Sequence, residues 1–291
     1  MSRTRDIRSA DSPPAPPASA PDPQRVALLL RPPLLVGAAA LGGARVARGI
    51  ASLFAGTLLR AINRQSERGA VAEQMFNIGN RSLFFVAVTL GFIALVSVFQ
   101  VCLQLNRVTG DLSKVGLELI KLMVHESAPS LTAMMLATRV GAGIAAEIGS
   151  MVVTEQVDAL RMSGVDPVSY LILPRFLACL LMTPVLAVFA FGVALGSGTA
   201  MAYVAFGVNP SIFVDFSAVT AADVGIGVVK CFCFGAAIPV VSGYCGLTTF
   251  GGSEGVGAAT TRAVINASLA VLALDLLLTV AGFMLFPPSA A

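Results

Sequence analysis

The chain is 291 residues long, 56% hydrophobic and only 12% charged, with a formal net charge of +3. Soluble domains carry about 25% charged residues. Uncharged runs at 82–106, 176–214 and 231–253 each suffice to cross a bilayer, so the composition excludes a soluble globular protein.

Residues 1–24 are rich in Pro, Ala and Ser and read as a disordered tail without the apolar stretch of a signal peptide. Residues 25–68 form an apolar, then amphipathic, membrane-interface segment. Its first part, RVALLLRPPLLVGAAALGG, is interrupted by Arg31-Pro32-Pro33, which argues against a full span. In 44–68, Ile50, Leu53, Phe54, Leu58 and Ile62 recur at helical spacing, while Arg60, Arg64 and Arg68 lie four apart on another face. That pattern suits a helix lying in the interface with its arginines near anionic headgroups, or an ordinary cytoplasmic amphipathic helix. Eleven of the nineteen basic residues are arginines within the first 81 positions. Cytoplasmic flanks of spans accumulate such residues, which explains them better than a nucleic-acid partner.

Five spans are predicted at about 82–106, 126–147, 176–205, 224–246 and 263–286, separated by polar loops such as RVTGDLSKVGLELIK (107–121) and GLTTFGGSEGVGAATTR (246–262). With the N-terminus inside, cytoplasmic loops hold Arg60, Arg64, Arg68, Arg81, Arg161, Arg175 and Arg262, against Arg107, Lys114 and Lys121 outside. Seven against three places the N-terminus in the cytoplasm and the C-terminus outside. The five cysteines all fall in apolar segments, and a single His argues against a His/Cys metal site.

The stretch AAEIGSMVVTEQVDALRMSGVDP (145–167) gathers Glu147, Glu155, Asp158, Arg161 and Asp166. Thr154 is a good N-cap, Glu155 and Asp158 favour the positive end of a helix, and Gly164 and Pro167 stop it. A cytoplasmic helix of about nine residues, far too short to span, is predicted. It either docks on a soluble partner and passes motion to the spans, or packs on its own protein. Within the spans, Glu126, Arg139, Glu147, Lys230 and Asp275 are the ionisable residues, and charges there usually face a bundle interior or wet cavity. A bridge from Arg139 to another span, with Asp275 as a candidate, is one expectation; Lys230 snorkelling to the outer interface is another. Gly192, Gly196 and Gly198 offer a close-approach surface for a second copy, although 28 glycines make chance placement plausible.

The segment TRVGAGIAAEIGSMVVTEQVDALRMSGVDPVSYLILPR (138–175) closely resembles the signature of the MlaE/YrbE family, permease subunits of Mce-type lipid ABC transporters. HESAPSLTAMMLATR (125–139) and GSEGVGAATTRAVINASLAVLALDLLLT (252–279) agree, so the resemblance covers about 70–286 and leaves 287–291 as a tail. It implies an all-α integral membrane protein with five transmembrane helices, an N-terminal interfacial helix and a short cytoplasmic coupling helix. It also implies a homodimer in the bacterial inner membrane, cytoplasmic ABC ATPase subunits, a periplasmic MCE-domain ring, and phospholipid as cargo. The ATPase-coupling residues implied are Glu147, Thr154, Glu155, Gln156, Asp158 and Arg161. Lipid-path candidates are His125, Glu126, Arg139 and Asp275. The family usually has Arg-Glu and Gly-Pro where this chain has His125-Glu126 and Ala128-Pro129, so a headgroup contact by His125 would depend on pH. It often has a basic residue at Ala258. No G-x-x-x-x-G-K-[ST] occurs, so no cofactor is expected on this chain and ATP belongs to the partner subunit. GAGIAA (141–146) fits a dinucleotide pattern only formally. An ion-coupled secondary transporter using Glu126 and Asp275 is the alternative; HESAP is not H-E-x-x-H, which argues against an intramembrane protease.

Overall fold

A computed structural model describes residues 23–62, 68–108, 115–217 and 219–285. Of the tail expected at 1–24, residues 1–22 lie outside the described residues while Pro23 and Gln24 open a helix; the tail expected at 287–291, and Arg64, also lie outside them. The chain divides into two compact units, 1–48 and 49–291. The first is helical from Pro23, within α1 (Pro23–Ile62), and the helix passes Arg31-Pro32-Pro33 without the expected interruption. Two prolines remove two backbone donors but not the helical φ, so the helix persists.

In the second unit, five helical stretches are long and apolar enough to cross a membrane: Gly69–Arg107, Leu119–Val153, Val168–Phe206, Ala221–Leu247 and Gly252–Leu285. They comprise α2 (Arg68–Val108), then α3 (Val115–Leu122), α4 (Ala128–Leu136) and α5 (Ala142–Val153). The short α6 (Gln156–Met162) follows, then α7 (Leu173–Phe206), α8 (Pro210–Phe213), α9 (Ala221–Leu247) and α10 (Gly252–Leu285). The described residues contain no strand, and the protein is an all-α multi-pass membrane protein. Arg68 opens α2 and so does not continue the arginine face of α1.

The last span begins at Gly252, well before the expected 263, because SEGVGAATTR is helix and not loop. Its small residues raise no steric bar. Thr260 and Thr261 donate their hydroxyls to the carbonyls of Val256 (2.8 Å) and Gly257 (3.2 Å), so these polar side chains are satisfied by the helix itself. Positive φ at Gly251 (90°) and Gly252 (74°) makes the turn that separates it from α9.

Three wide π turns, Met123–Ser127, Ala137–Gly141 and Val168–Ile172, interrupt the second and third spans. Two have a visible cause. Pro129 and Pro174 lack the N–H that would bond to the carbonyls of residues 125 and 170, four positions back, and the preceding turn widens in each case. The first such turn carries His125 and Glu126.

α2 lies along α7, while α9 sits centrally against α5, α7, α10 and the first two π turns. Lipid tails are as apolar as leucine, so helices here associate through close packing more than through exclusion of water. Leu136, Ile148, Leu186, Phe234 and Ile238, each nearly or wholly buried, form the core between them. Two glycines let α9 in. A Cβ at Gly227 would lie 2.6 Å from the Val124 carbonyl, and one at Gly235 would lie 2.8 Å from that of Cys179. Gly192 and Gly196 face open space, whereas Gly198 packs on Val98 of α2.

Candidate functional site

Gly227 brings α9 against the π turn that holds Glu126, and one turn later Lys230 points into the bundle with none of its side chain exposed. The Lys230 ammonium has three N–H donors and three partners. It donates to Glu126 Oε2, to Asp275 Oδ1 at 2.9 Å and to Thr279 Oγ1 at 2.8 Å. Ser130 Oγ donates to Asp275 Oδ1 at 2.8 Å, and Thr279 Oγ1 lies 3.2 Å from Glu126 Oε1. His125 Nδ1 stands 3.4 Å from Glu126 Oε2. Three of the five spanning stretches, the second, fourth and fifth, therefore meet at one polar cluster. The expectation that Lys230 snorkels outward is overturned: a stem that reaches two carboxylates has no reason to leave, and the close approach at Gly227 turns it inward. His125, Glu126 and Asp275 do come together. Sequence reasoning missed Ser130 and Thr279, although Thr279, four residues after Asp275, shares its helix face.

Arg139 lies 13 residues beyond Glu126 and does not join the cluster. It donates to Ser82 Oγ of α2, not to Asp275, which is already held by Lys230 and Ser130. An apolar cleft of 380 Å³ opens between the matching ends of α9 and α10, lined by Ile226, Val229, Leu278 and Gly282 among others.

At the opposite ends of the spans lies α6, and its first residues correct the sequence reading. Thr154 is not its N-cap. The second span stays helical to Val153, and the Thr154 hydroxyl turns back to the Ser150 carbonyl at 2.9 Å, closing that helix. Glu155 stands at the N-cap instead, with φ 60° and no side-chain cap bond, the sole non-glycine positive φ among the described residues. A bulky residue in the left-handed region is uncommon and costs about 1 kcal/mol. The helix thus has seven residues rather than nine. Its end is as expected: Gly164 at φ 78° completes a Schellman motif, with Gly164 N–H to Arg161 O (3.1 Å) and Val165 N–H to Leu160 O (3.0 Å).

Val157 anchors α6 in the core at 3% exposure, while Glu155, Gln156, Asp158, Arg161 and Met162 are exposed. Asp158 and Arg161 pair with each other across one turn at 2.9 Å, a surface contact of small value. Two further ion pairs fasten the segment. Arg175 Nη2 meets Glu147 Oε1 at 2.6 Å, joining the helices before and after α6, and Arg175 Nη1 donates to the Leu171 carbonyl. Arg60 Nε meets Asp166 Oδ2 at 2.8 Å, fixing the exit loop to α1. Burial alone would push the Asp166 carboxyl up. The Ser169 hydrogen bonds and the Arg60 charge outweigh it and hold the group below its ordinary value. Glu147 therefore belongs to the strut beneath α6 and not to its outer face. Together with Glu73, Tyr170 and Arg175 it lines a mixed polar cleft of 430 Å³ beside α6. GAGIAA is helical throughout, unlike the strand-to-helix turn that a dinucleotide needs.

Residues 71–281 match the family Permease MlaE. A probable ABC transporter permease protein of Synechocystis is 37% identical over 223 residues, which is 75% of this chain and 82% of that one. A probable ABC transporter permease protein of Rickettsia felis is 35% identical over 211 residues, 72% of this chain and 81% of the other. The chloroplastic protein TRIGALACTOSYLDIACYLGLYCEROL 1 of Arabidopsis thaliana is 33% identical over 209 residues, 71% of this chain and 59% of that protein. A helical five-span body with a short capped helix between its second and third spans, matched over most of its length, places this chain in the MlaE permease family.

Proposed function

We propose that this permease is the membrane subunit of an ATP-driven lipid transporter of the bacterial inner membrane, its N-terminus cytoplasmic and its C-terminus periplasmic. Two copies assemble with cytoplasmic ABC ATPase subunits, which bind and hydrolyse the ATP. The cargo is phospholipid, passed between the membrane and a periplasmic assembly of MCE-domain proteins. The observation that carries this reading is α6: a helix anchored by Val157, charged on its outer face, and fastened at its flanks by Arg60–Asp166 and Glu147–Arg175. A rigid projection between two spans is what a motor subunit needs in order to move them. The lipid assignment is supported by family membership and by the Arabidopsis relative, whose name carries a galactolipid.

Within this scheme Glu155, Gln156, Asp158 and Arg161 contact the ATPase, with Thr154 and Glu147 holding the helix in place. His125, Glu126 and Asp275 flank the lipid path, with Lys230 as the shared counter-ion of Glu126 and Asp275. Arg139 supports the path by tying the second span to α2 through Ser82. Mild-detergent purification from the native host, with mass spectrometry of proteins and lipids, tests the assignment. The expected result is co-purification of an ATPase, an MCE-domain protein and phospholipid. Loss of the ATPase alone is expected in Glu155→Lys with Asp158→Lys. Its full retention in that double variant would overturn the docking role of α6.

A second reading rests on the same cluster. Two carboxylates around one buried lysine also suit an ion-coupled carrier without an ATPase. It requires transport driven by a gradient in the absence of nucleotide.

A further inference from the structure

The polar cluster has a one-sided hydrogen-bond inventory. Its strongest donor is spent: all three N–H groups of Lys230 are engaged by Glu126, Asp275 and Thr279, and the side chain is wholly buried. The Ser130 hydroxyl is spent on Asp275 Oδ1. The Thr279 hydroxyl lies between Glu126 and the Asp275 carbonyl, 2.8 Å from the latter. Arg139 is engaged with Ser82, elsewhere on the span. Apart from the His125 imidazole, which carries one N–H when neutral and whose Nδ1 lies beside Glu126, what the cluster offers to an incoming group is acceptors. Asp275 Oδ2 has no partner among the described residues, and Glu126 Oε1 has only the long Thr279 contact. These carboxylates remain reachable, with side-chain exposures of 30% for Glu126 and 16% for Asp275, and His125 beside them is 25% exposed. Two carboxylates against one ammonium also leave the trio with a formal excess of one negative charge.

An anionic phosphate brought to this face meets two carboxylates and no free ammonium, with the His125 imidazole as its one donor in the cluster. A group carrying N–H or O–H donors meets unfilled carboxylate oxygens, and hydrogen bonds with one ionised partner are the strong ones. We infer that the cluster is a headgroup-selecting site for lipids whose headgroup ends in a hydrogen-bond donor, such as a primary ammonium, and that it discriminates against headgroups ending in a bare phosphate. Lys230 acts in this site as a positioning residue that holds the two carboxylates open toward the cargo. The inference rests on the lipid-transport reading above and adds the class of headgroup.

The test uses the intact complex as it purifies with its partners, in detergent. The complex is equilibrated with equimolar phosphatidylethanolamine, phosphatidylcholine and phosphatidic acid of one acyl composition. Retained lipid is then quantified by mass spectrometry. One additional charge-assisted hydrogen bond corresponds to a preference of roughly tenfold, so phosphatidylethanolamine is expected to exceed phosphatidic acid by at least about that factor. Phosphatidylcholine, cationic but without N–H donors, is expected to fall well below phosphatidylethanolamine. Asp275→Asn and Glu126→Gln are expected to bring the ethanolamine preference under about threefold. Equal or greater retention of phosphatidic acid overturns the inference, and so does equal retention of choline and ethanolamine lipids. The wild-type ratios decide the matter even where a variant does not fold. A complex that retains no lipid of any kind would contradict the transport reading itself, which is a distinguishable failure.

Discussion

Replacing Lys230 with Met removes the one cation that Glu126 and Asp275 share while keeping a stem of similar length. Both carboxylates touch the same ammonium, so their oxygens stand no more than about 6 Å apart by ordinary hydrogen-bond lengths. Two like charges about 5 Å apart repel by roughly 3 kcal/mol at an effective dielectric near 20. Breaking a buried ion network from one side costs about 3–5 kcal/mol in measured cases, which agrees. For a helical body of this size each kcal/mol moves the melting temperature by roughly 2–4 °C, so a fall of about 6–20 °C is expected. Melting followed by fluorescence-detected gel filtration in one detergent reads it. The triple variant Lys230→Met, Glu126→Gln, Asp275→Asn has no charge left to strand, and most of the loss is expected to return. A single variant that melts within about 1 °C of wild type would refute the shared-counter-ion account, as would a triple variant no better than the single.

Glu155→Gly, which relieves the left-handed backbone, is expected to keep or raise thermal stability by about 1 kcal/mol, whereas Glu155→Val, β-branched at φ 60°, lowers it; melting temperatures of the pair check this. Gly227→Val drives a side chain into the Val124 carbonyl and is expected to cost about 1–3 kcal/mol and to disturb the cluster, a loss seen as weaker lipid retention. Arg175→Met leaves Glu147 without its partner. Because Glu147 is 52% exposed, the expected cost is near 1 kcal/mol, with a larger loss of ATPase association than of stability, read by co-purification. Asp166, whose folded carboxyl is held below its ordinary value, contributes stability that is fully present above the unfolded value of about 3.9 and lost as pH falls through the lower folded one. Wild type is therefore expected to lose its small advantage over Asp166→Asn as pH falls below about 4, and to keep it from about pH 5 upward, by melting temperature.

The apolar runs made the five spans legible, because length and absence of charge are enough to specify a membrane helix. Their ends were less so. Thr154 has the side chain of an N-cap and that of a residue that closes a helix by bonding four positions back. Local sequence does not choose between them, since the choice depends on whether the second span ends before or after it. SEGVGAATTR has the composition of a loop, yet a membrane helix needs only backbone donors and small side chains to continue. Glu126, Lys230 and Asp275 stood out as charges in apolar runs, but the pairing of Glu126 with Lys230 joins residues 104 positions apart. No periodicity carries that distance. It was set by Gly227, whose missing side chain brings α9 to the π turn. The stop at Gly164 was legible because a left-handed C-cap is a local requirement that glycine alone meets cheaply.

In the proposed function, lipid moves through this permease at the expense of nucleotide hydrolysed by a partner seated on α6. Reconstitution of the purified complex in vesicles, with a labelled phosphatidylethanolamine followed across the membrane or to the MCE-domain partner, tests it most directly. Movement that requires hydrolysable ATP, and that disappears in Glu155→Lys with Asp158→Lys while the permease remains folded, is the predicted result. Movement that proceeds without nucleotide under an ion gradient, and survives that double substitution, would contradict it.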